Sequence, residues 1–241
     1  MVQLAQRWSE DYMKGKKDVQ IQVTGGGSGT GISALINGMT DICASSRPMK
    51  DSEKAKLAAK YQSEGVEIKV ARDGLTIYLN NANPVAALTL AQIKDIYQGK
   101  ITNWKDVGGS DSKIILYGRE NSSGTYEFFK EHVLNKEDFA NGMQALPGTA
   151  AVVNAVKKDV NGVGFGGVGY AEGLKEAGIL VGDEAILPTK ENIMSEKYPI
   201  SRFLYLYLRQ TPTGEMKNFI DYILGDQGQK VVANEGFFPA K

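Results

Sequence analysis

The chain has 241 residues, enough for one large domain or two smaller ones, each with an ample core. Its 28 basic and 28 acidic residues cancel, so nothing draws it nonspecifically to nucleic acid or an acidic membrane surface, and an anionic ligand must be gripped locally. A single cysteine, Cys43, and a single histidine, His132, exclude an intramolecular disulfide and a Cys/His zinc site, and no apolar run approaches the roughly 20 residues that span a bilayer.

The sequence opens on a predicted helix over residues 2–16, with Ala5, Trp8 and Tyr12 on one face, and lacks the basic, apolar and small-residue regions of a signal peptide. Val19, Ile21 and Val23 alternate as in a strand. Thr24-Gly25-Gly26-Gly27 breaks that pattern, and Ile32, Leu35, Ile36 and Met39 then recur at helical spacing. Asp41–Ala44 reads as a short strand ending in the turn Ser45-Ser46-Arg47-Pro48, and a charged helix follows over 51–61. Strands are expected at 68–71 and 75–79, broken by Arg72-Asp73-Gly74, with a helix at 89–97. Ile114–Tyr117 is a strand leading through Gly118–Ser122 into a helix marked by Tyr126, Phe129 and Val133. Beyond it lie a helix at 150–160, a glycine-rich strand and turn at 162–169 and a helix at 170–177. The apolar run 203–208 suits a buried strand, followed by a helix at 214–224 and helical turns at 227–233. Alternating strands and helices argue for an α/β protein.

Ser-Gly-Thr occurs twice, at Ser28-Gly29-Thr30 and Ser123-Gly124-Thr125, each time between a strand-like run and a helix-like stretch. A helix start leaves backbone N–H groups unpaired and carries partial positive charge, so each copy has the layout of an anion cradle. Residues 25–31 contain no lysine, which rules out a Walker loop. Gly162-Val163-Gly164-Phe165-Gly166-Gly167 matches G-x-G-x-x-G, but a helix-like stretch precedes it and the glycines fall within the strand, so a dinucleotide site is disfavoured. Arg119 lies four residues before Ser123, where its guanidinium can hold two anion oxygens. Pairing with Glu120 or Glu127 is the alternative. Arg47, after Ser45-Ser46, is a second candidate whose alternative is to brace the turn through a carboxylate. Cys43 reads as a small buried strand residue and His132 as a solvated helix-face residue. With no other histidine there is no Ser/His/Asp triad, and the chain is not expected to be an enzyme.

The segments 23–31, 41–48 and 118–125 resemble the phosphate-binding proteins of bacterial ABC transporters, as do Leu90–Trp104, Gly162–Tyr170, Pro199–Leu208 and Gly236-Phe237-Phe238-Pro239. The resemblance implies an α/β, two-lobed periplasmic-binding-protein type II fold, with mixed sheets flanked by helices and two hinge crossings. The lobes implied are 1–73 with 200–241, and 74–199. It implies capture of inorganic phosphate between the lobes by a monomer, delivery to the membrane permease of an ABC transporter, no cofactor, metal or nucleic acid, and a periplasmic or extracellular membrane-associated location. The export signal is expected to be absent from this chain. The phosphate-binding residues implied are Ser28, Gly29, Thr30, Ser46 and Arg47 in the first lobe and Arg119, Ser122, Ser123, Gly124 and Thr125 in the second. Two departures accompany the resemblance. Members begin with a strand and a Gly/Ser/Thr-rich loop that are expected to be missing here, and Ser46 stands where well-known members carry an aspartate. The alternatives are a phosphate sensor, a binder of another oxyanion on the same fold, and a phosphate-handling enzyme.

Overall fold

The computed structural model describes residues 1–240. Its elements in chain order are α1 (Val2–Met13), α2 (Ser28–Asn37), β1 (Ile42–Ser45), α3 (Asp51–Tyr61), β2 (Val66–Leu79), β3 (Ala87–Thr89) and α4 (Leu90–Tyr97). These are followed by β4 (Ile115–Arg119), α5 (Gly124–His132), β5 (Gln144–Leu146), α6 (Thr149–Lys158), β6 (Gly162–Gly167), β7 (Lys175–Val181) and β8 (Glu184–Ile186). The chain ends through α7 (Lys190–Met194), β9 (Ser201–Leu208), α8 (Gly214–Leu224), α9 (Asp226–Asn234) and β10 (Phe238–Pro239). It divides into two compact units, Met1–Arg72 with Phe203–Lys241, and Asp73–Arg202. The strands β2 and β9 each run through a unit boundary.

In the first unit β9 lies between β1 and β2, and β10 pairs antiparallel with β2 through Phe238 and Arg72. β1 runs antiparallel to β9, with Cys43 opposite Tyr207 and Ser45 opposite Tyr205. One core is formed by Ile32, Leu35, Cys43, Met49, Leu57, Tyr205 and Tyr207, which brings α2 and α3 against this sheet. Elsewhere in the unit α1 packs on α8 and α9: the Trp8 indole donates to the Gly228 carbonyl at 2.8 Å, and Tyr12 stacks at a tilt on Phe219 and Tyr222.

The second unit is built around the distal half of β2, with antiparallel β6 and β7 as neighbours. β4 is parallel to β6 and β5 parallel to β4, while β7 carries parallel β3 and antiparallel β8. The sheet is mixed. α6 covers it through Val152, Val153 and Val156 against Tyr78, and a second cluster stacks Phe129, Phe139 and Phe165 with Tyr97 edge-on. The glycines of the G-x-G-x-x-G run lie inside β6, where all six residues are buried. A Cβ on Gly164 would stand 2.6 Å from a Val152 methyl, and one on Gly166 would stand 2.5 Å from the Tyr78 hydroxyl. These glycines let α6 and Tyr78 close on the sheet, which accounts for the pattern without a nucleotide.

Three expected elements differ. Residues 19–23 form no strand: they keep an alternating half-buried pattern, but the Ile21 N–H donates to the Met13 sulfur rather than to a neighbouring strand. Arg72-Asp73-Gly74 does not break a strand pair, because β2 continues through it, paired with β10 on one side of the break and with β6 on the other. Residues 170–177 are not a helix. They form the end of a one-turn 3-10 segment (Val168–Tyr170) and the start of β7, whose pairing with β2 and β3 buries Ala177, Gly178 and Ile179. Sheet pairing outweighs the weak helical propensity of a stretch containing Gly173. Smaller shifts occur at the ends, where α1 stops at Met13 and α6 runs Thr149–Lys158.

Glu176 on β7 is a half-buried carboxyl with a testable cost. Its Oε2 has no hydrogen-bond partner, and burial pushes the group above the ordinary carboxylate range, with Asp73 adding to the rise and the Thr76 hydroxyl opposing it. The folded value exceeds the unfolded one, so stability is lost as pH rises from the unfolded value of about 4.3 through the raised folded value. Glu176→Gln is expected to stabilise the chain by about 1 kcal/mol at pH 8, with no gain at pH 4. Urea unfolding at the two pH values measures this, and an equal effect at both would show that ionisation is not the cause.

Candidate functional site

The first cradle belongs to the first unit. Gly26 and Gly27 hold φ of 138° and 88°, backbone that favours glycine, and so turn the chain into α2. Ser28 is the first helical residue and is buried; its hydroxyl accepts from the Ser46 N–H at 3.1 Å and stands 3.5 Å from the Ser46 hydroxyl. The structure therefore brings Ser28 and Ser46 together from separate elements. Gly29 is the second residue of α2 and partly exposed, whereas the Thr30 hydroxyl is turned back onto the Gly26 carbonyl at 2.7 Å. Gly31 lets α2 sit close to β1, for a Cβ there would be 2.8 Å from the Cys43 sulfur. Cys43 is a buried core residue, its thiol pushed up to about 12 chiefly by that burial.

Arg47 is the brace of this cradle. Its guanidinium donates to both carboxylate oxygens of Glu53 at 2.8 Å and to the Pro48 carbonyl at 2.8 Å. Ser45 closes the same turn, donating to the Arg47 carbonyl at 2.7 Å. Burial pushes Glu53 up, but the Arg47 bonds and the Lys50 N–H more than offset this and leave the carboxyl below its usual range. The carboxylate alternative for Arg47 is thus realised, with the Ser45-Ser46 turn fixed between β1 and α3.

The second cradle belongs to the second unit. Ser123 is the N-cap of α5, its hydroxyl accepting from the Thr125 and Tyr126 N–H groups at 3.2 and 3.3 Å. Gly124 and Thr125 are buried in the first turn, and Ser122 is partly exposed ahead of the cap. Arg119 ends β4, only 7 % exposed, and so is no surface arginine. It does pair with Glu120, through Nε at 3.0 Å and Nη2 at 2.8 Å, while Nη1 donates to the Thr149 hydroxyl at 2.8 Å. Burial raises the Glu120 carboxyl, but Arg119 outweighs that and holds it below the usual range. His132 lies at the end of α5, its ring stacked on Phe128 and Nδ1 at 3.0 Å from the Phe128 carbonyl.

Three further residues support this cradle. Thr149 starts α6 and orients Arg119. Asp73 and Arg202 form a buried ion pair, and Arg202 also reaches the Thr125 hydroxyl. The Gly148-Thr149 helix start is the local sequence signal for the first, and nothing local marks the other two.

Each cradle thus offers oriented hydroxyls and N–H groups near an arginine already balanced by a carboxylate. Such a set suits a small tetrahedral oxyanion held by hydrogen bonds. Comparison with known proteins agrees. The PBP superfamily domain matches residues 2–227. The chain belongs to the phosphate-binding PstS family of that superfamily. It is 32% identical to the phosphate-binding protein PstS of Pseudomonas aeruginosa, covering 99% of this chain and 80% of that one. Against PstS of Staphylococcus epidermidis it is 37% identical, covering 94% and 71%. A phosphate ABC transporter substrate-binding protein of Clostridium perfringens, solved with bound phosphate, superposes with a TM-score of 0.88 at 33% identity, covering 100% of this chain and 96% of that one. The family is one of transport binding proteins rather than enzymes, and its two-lobed α/β fold is the fold of this chain. No helix among the described residues is long and apolar enough to cross a membrane.

Proposed function

We propose that this chain captures inorganic phosphate outside the cytoplasmic membrane and delivers it, as a monomer, to the permease of an ABC transporter. The observation that carries the reading is Arg119, buried beside the Ser123-capped start of α5 and oriented by Glu120 and Thr149. Arg119, Ser122, Ser123, Gly124 and Thr125 are the proposed ligands from the second unit. Ser28, Gly29, Thr30 and Ser46 are those from the first, with Arg47 supporting Ser46 through the turn. Membership of the PstS family supports phosphate as the cargo.

Ser46 sharpens the expected selectivity. A serine hydroxyl can accept the proton of hydrogen phosphate, but it brings no charge to repel a fully ionised anion. Calorimetric titration of the purified chain with phosphate, arsenate and sulfate tests this. We expect saturable phosphate and arsenate binding, with sulfate weaker by a smaller margin than a carboxylate at position 46 would impose, so that Ser46→Asp widens the gap. Sulfate binding as tight as phosphate would overturn the phosphate-specific reading.

A further inference from the structure

Arg202 and Asp73 occupy the last and first positions of the second unit. Their side chains are 5 % and 1 % exposed. Asp73 Oδ2 accepts from Arg202 Nε at 2.9 Å and Nη2 at 2.8 Å, and its Oδ1 accepts from the Val168 N–H at 3.2 Å. With the carboxylate held on both oxygens, the plane of the guanidinium is set. Its Nη2 also donates to Thr125 Oγ1 at 3.1 Å, and the group lies 5.3 Å from the centre of the Phe128 ring, one turn further along α5. The remaining nitrogen, Nη1, is buried without a hydrogen-bond partner.

A buried ion pair is weak evidence for stability, since well-packed apolar residues often serve as well. What this pair does is act on a hydroxyl. A threonine hydroxyl has one hydrogen and two acceptor positions. Because Arg202 can only donate, it takes an acceptor position of Thr125 and turns the hydroxyl hydrogen away from the guanidinium. We propose that Arg202, locked by Asp73, is a positioning residue of the phosphate site: it commits the Thr125 hydroxyl to donating, so that this hydroxyl bonds an unprotonated phosphate oxygen. The inference rests on phosphate being the ligand of the second cradle.

The test is phosphate calorimetry at pH 7 on the full chain, on Asp73→Asn/Arg202→Gln, on Thr125→Val, and on the three substitutions combined. The paired neutral substitutions leave no lone buried charge. We expect the pair to weaken phosphate about tenfold, equivalent to about 1.4 kcal/mol, and Thr125→Val to weaken it at least as much. The triple variant should bind within about twofold of Thr125→Val, because Arg202 acts through that hydroxyl. Should the neutral pair unfold, Asp73→Leu/Arg202→Met carries the same test, since apolar residues of similar volume can replace a buried pair and donate nothing to Thr125. Unchanged affinity in either double variant overturns the inference. So do additive losses in the triple variant, which would make Arg202 a direct contact through Nη1 or a merely structural residue. Absence of phosphate binding by the unsubstituted chain overturns the functional reading and this inference together.

Discussion

Replacing Arg119 by alanine is expected to weaken phosphate binding on the order of a hundred- to a thousand-fold. Hydrogen bonds to charged groups contribute about 1.5–3 kcal/mol each, and a guanidinium facing a tetrahedral anion can make two of them. The geometry adds a second loss. Glu120, now bonded by Nε and Nη2 of Arg119, would keep its carboxylate beside the cradle with no cation to balance it, and a bound anion would meet like charge. Arg119→Ala/Glu120→Gln should therefore recover part of what Arg119→Ala loses, about tenfold for one removed charge at partly buried range. Calorimetry on the two variants separates the lost contact from the added repulsion. Losses no larger than those of Arg47→Ala would show that Arg119 is not the anion's partner.

Much of this arrangement is legible in the sequence, and what is not has a physical reason. The helix starts at Ser28 and Ser123 are readable because capping and glycine chemistry are local, confined to a few consecutive residues. The same holds for Gly214–Leu224, which follows Thr211-Pro212-Thr213 and forms a helix over those residues. The brace on Arg47 is half legible. A partner carboxylate can be anticipated, and Glu53 supplies it from the first turn of α3, six residues on. Residues 170–177 mislead because their apolar spacing fits a helix as well as a strand, and only the neighbours β2 and β3 decide between them. Residues 19–23 mislead in the opposite sense, since period-two alternation implies a strand only where a ladder partner lies alongside. Thr149 and the Asp73–Arg202 pair belong to a third kind. Thr149 is separated by 30 residues from Arg119, and Asp73 by 129 from Arg202, and a single sequence holds no information on which distant side chains meet.

Arg47→Ala should show the complementary behaviour, a large loss of stability with a small loss of affinity. The arginine side chain is 6% exposed and that of Glu53 17%, so truncation leaves a carboxylate with little water and without its two charge-assisted bonds. Removing one partner of a buried pair costs about 3–5 kcal/mol. The pH dependence identifies the cause. Glu53 sits below its unfolded value in the folded chain, so its contribution is present above about pH 4.3 and is lost as pH falls through the lowered folded value. Urea unfolding of the two proteins is expected to differ by the full amount at pH 7 and by progressively less as pH falls through the lowered folded value, where Glu53 takes up a proton even beside its arginine. Phosphate affinity at pH 7, measured where both proteins are folded, should change less than about tenfold, because the Ser46 N–H still donates to the Ser28 hydroxyl and the Ser45 hydroxyl still donates to the backbone carbonyl of position 47. An affinity loss matching that of Arg119→Ala, with stability unchanged, would instead make Arg47 the ligand and Arg119 the brace.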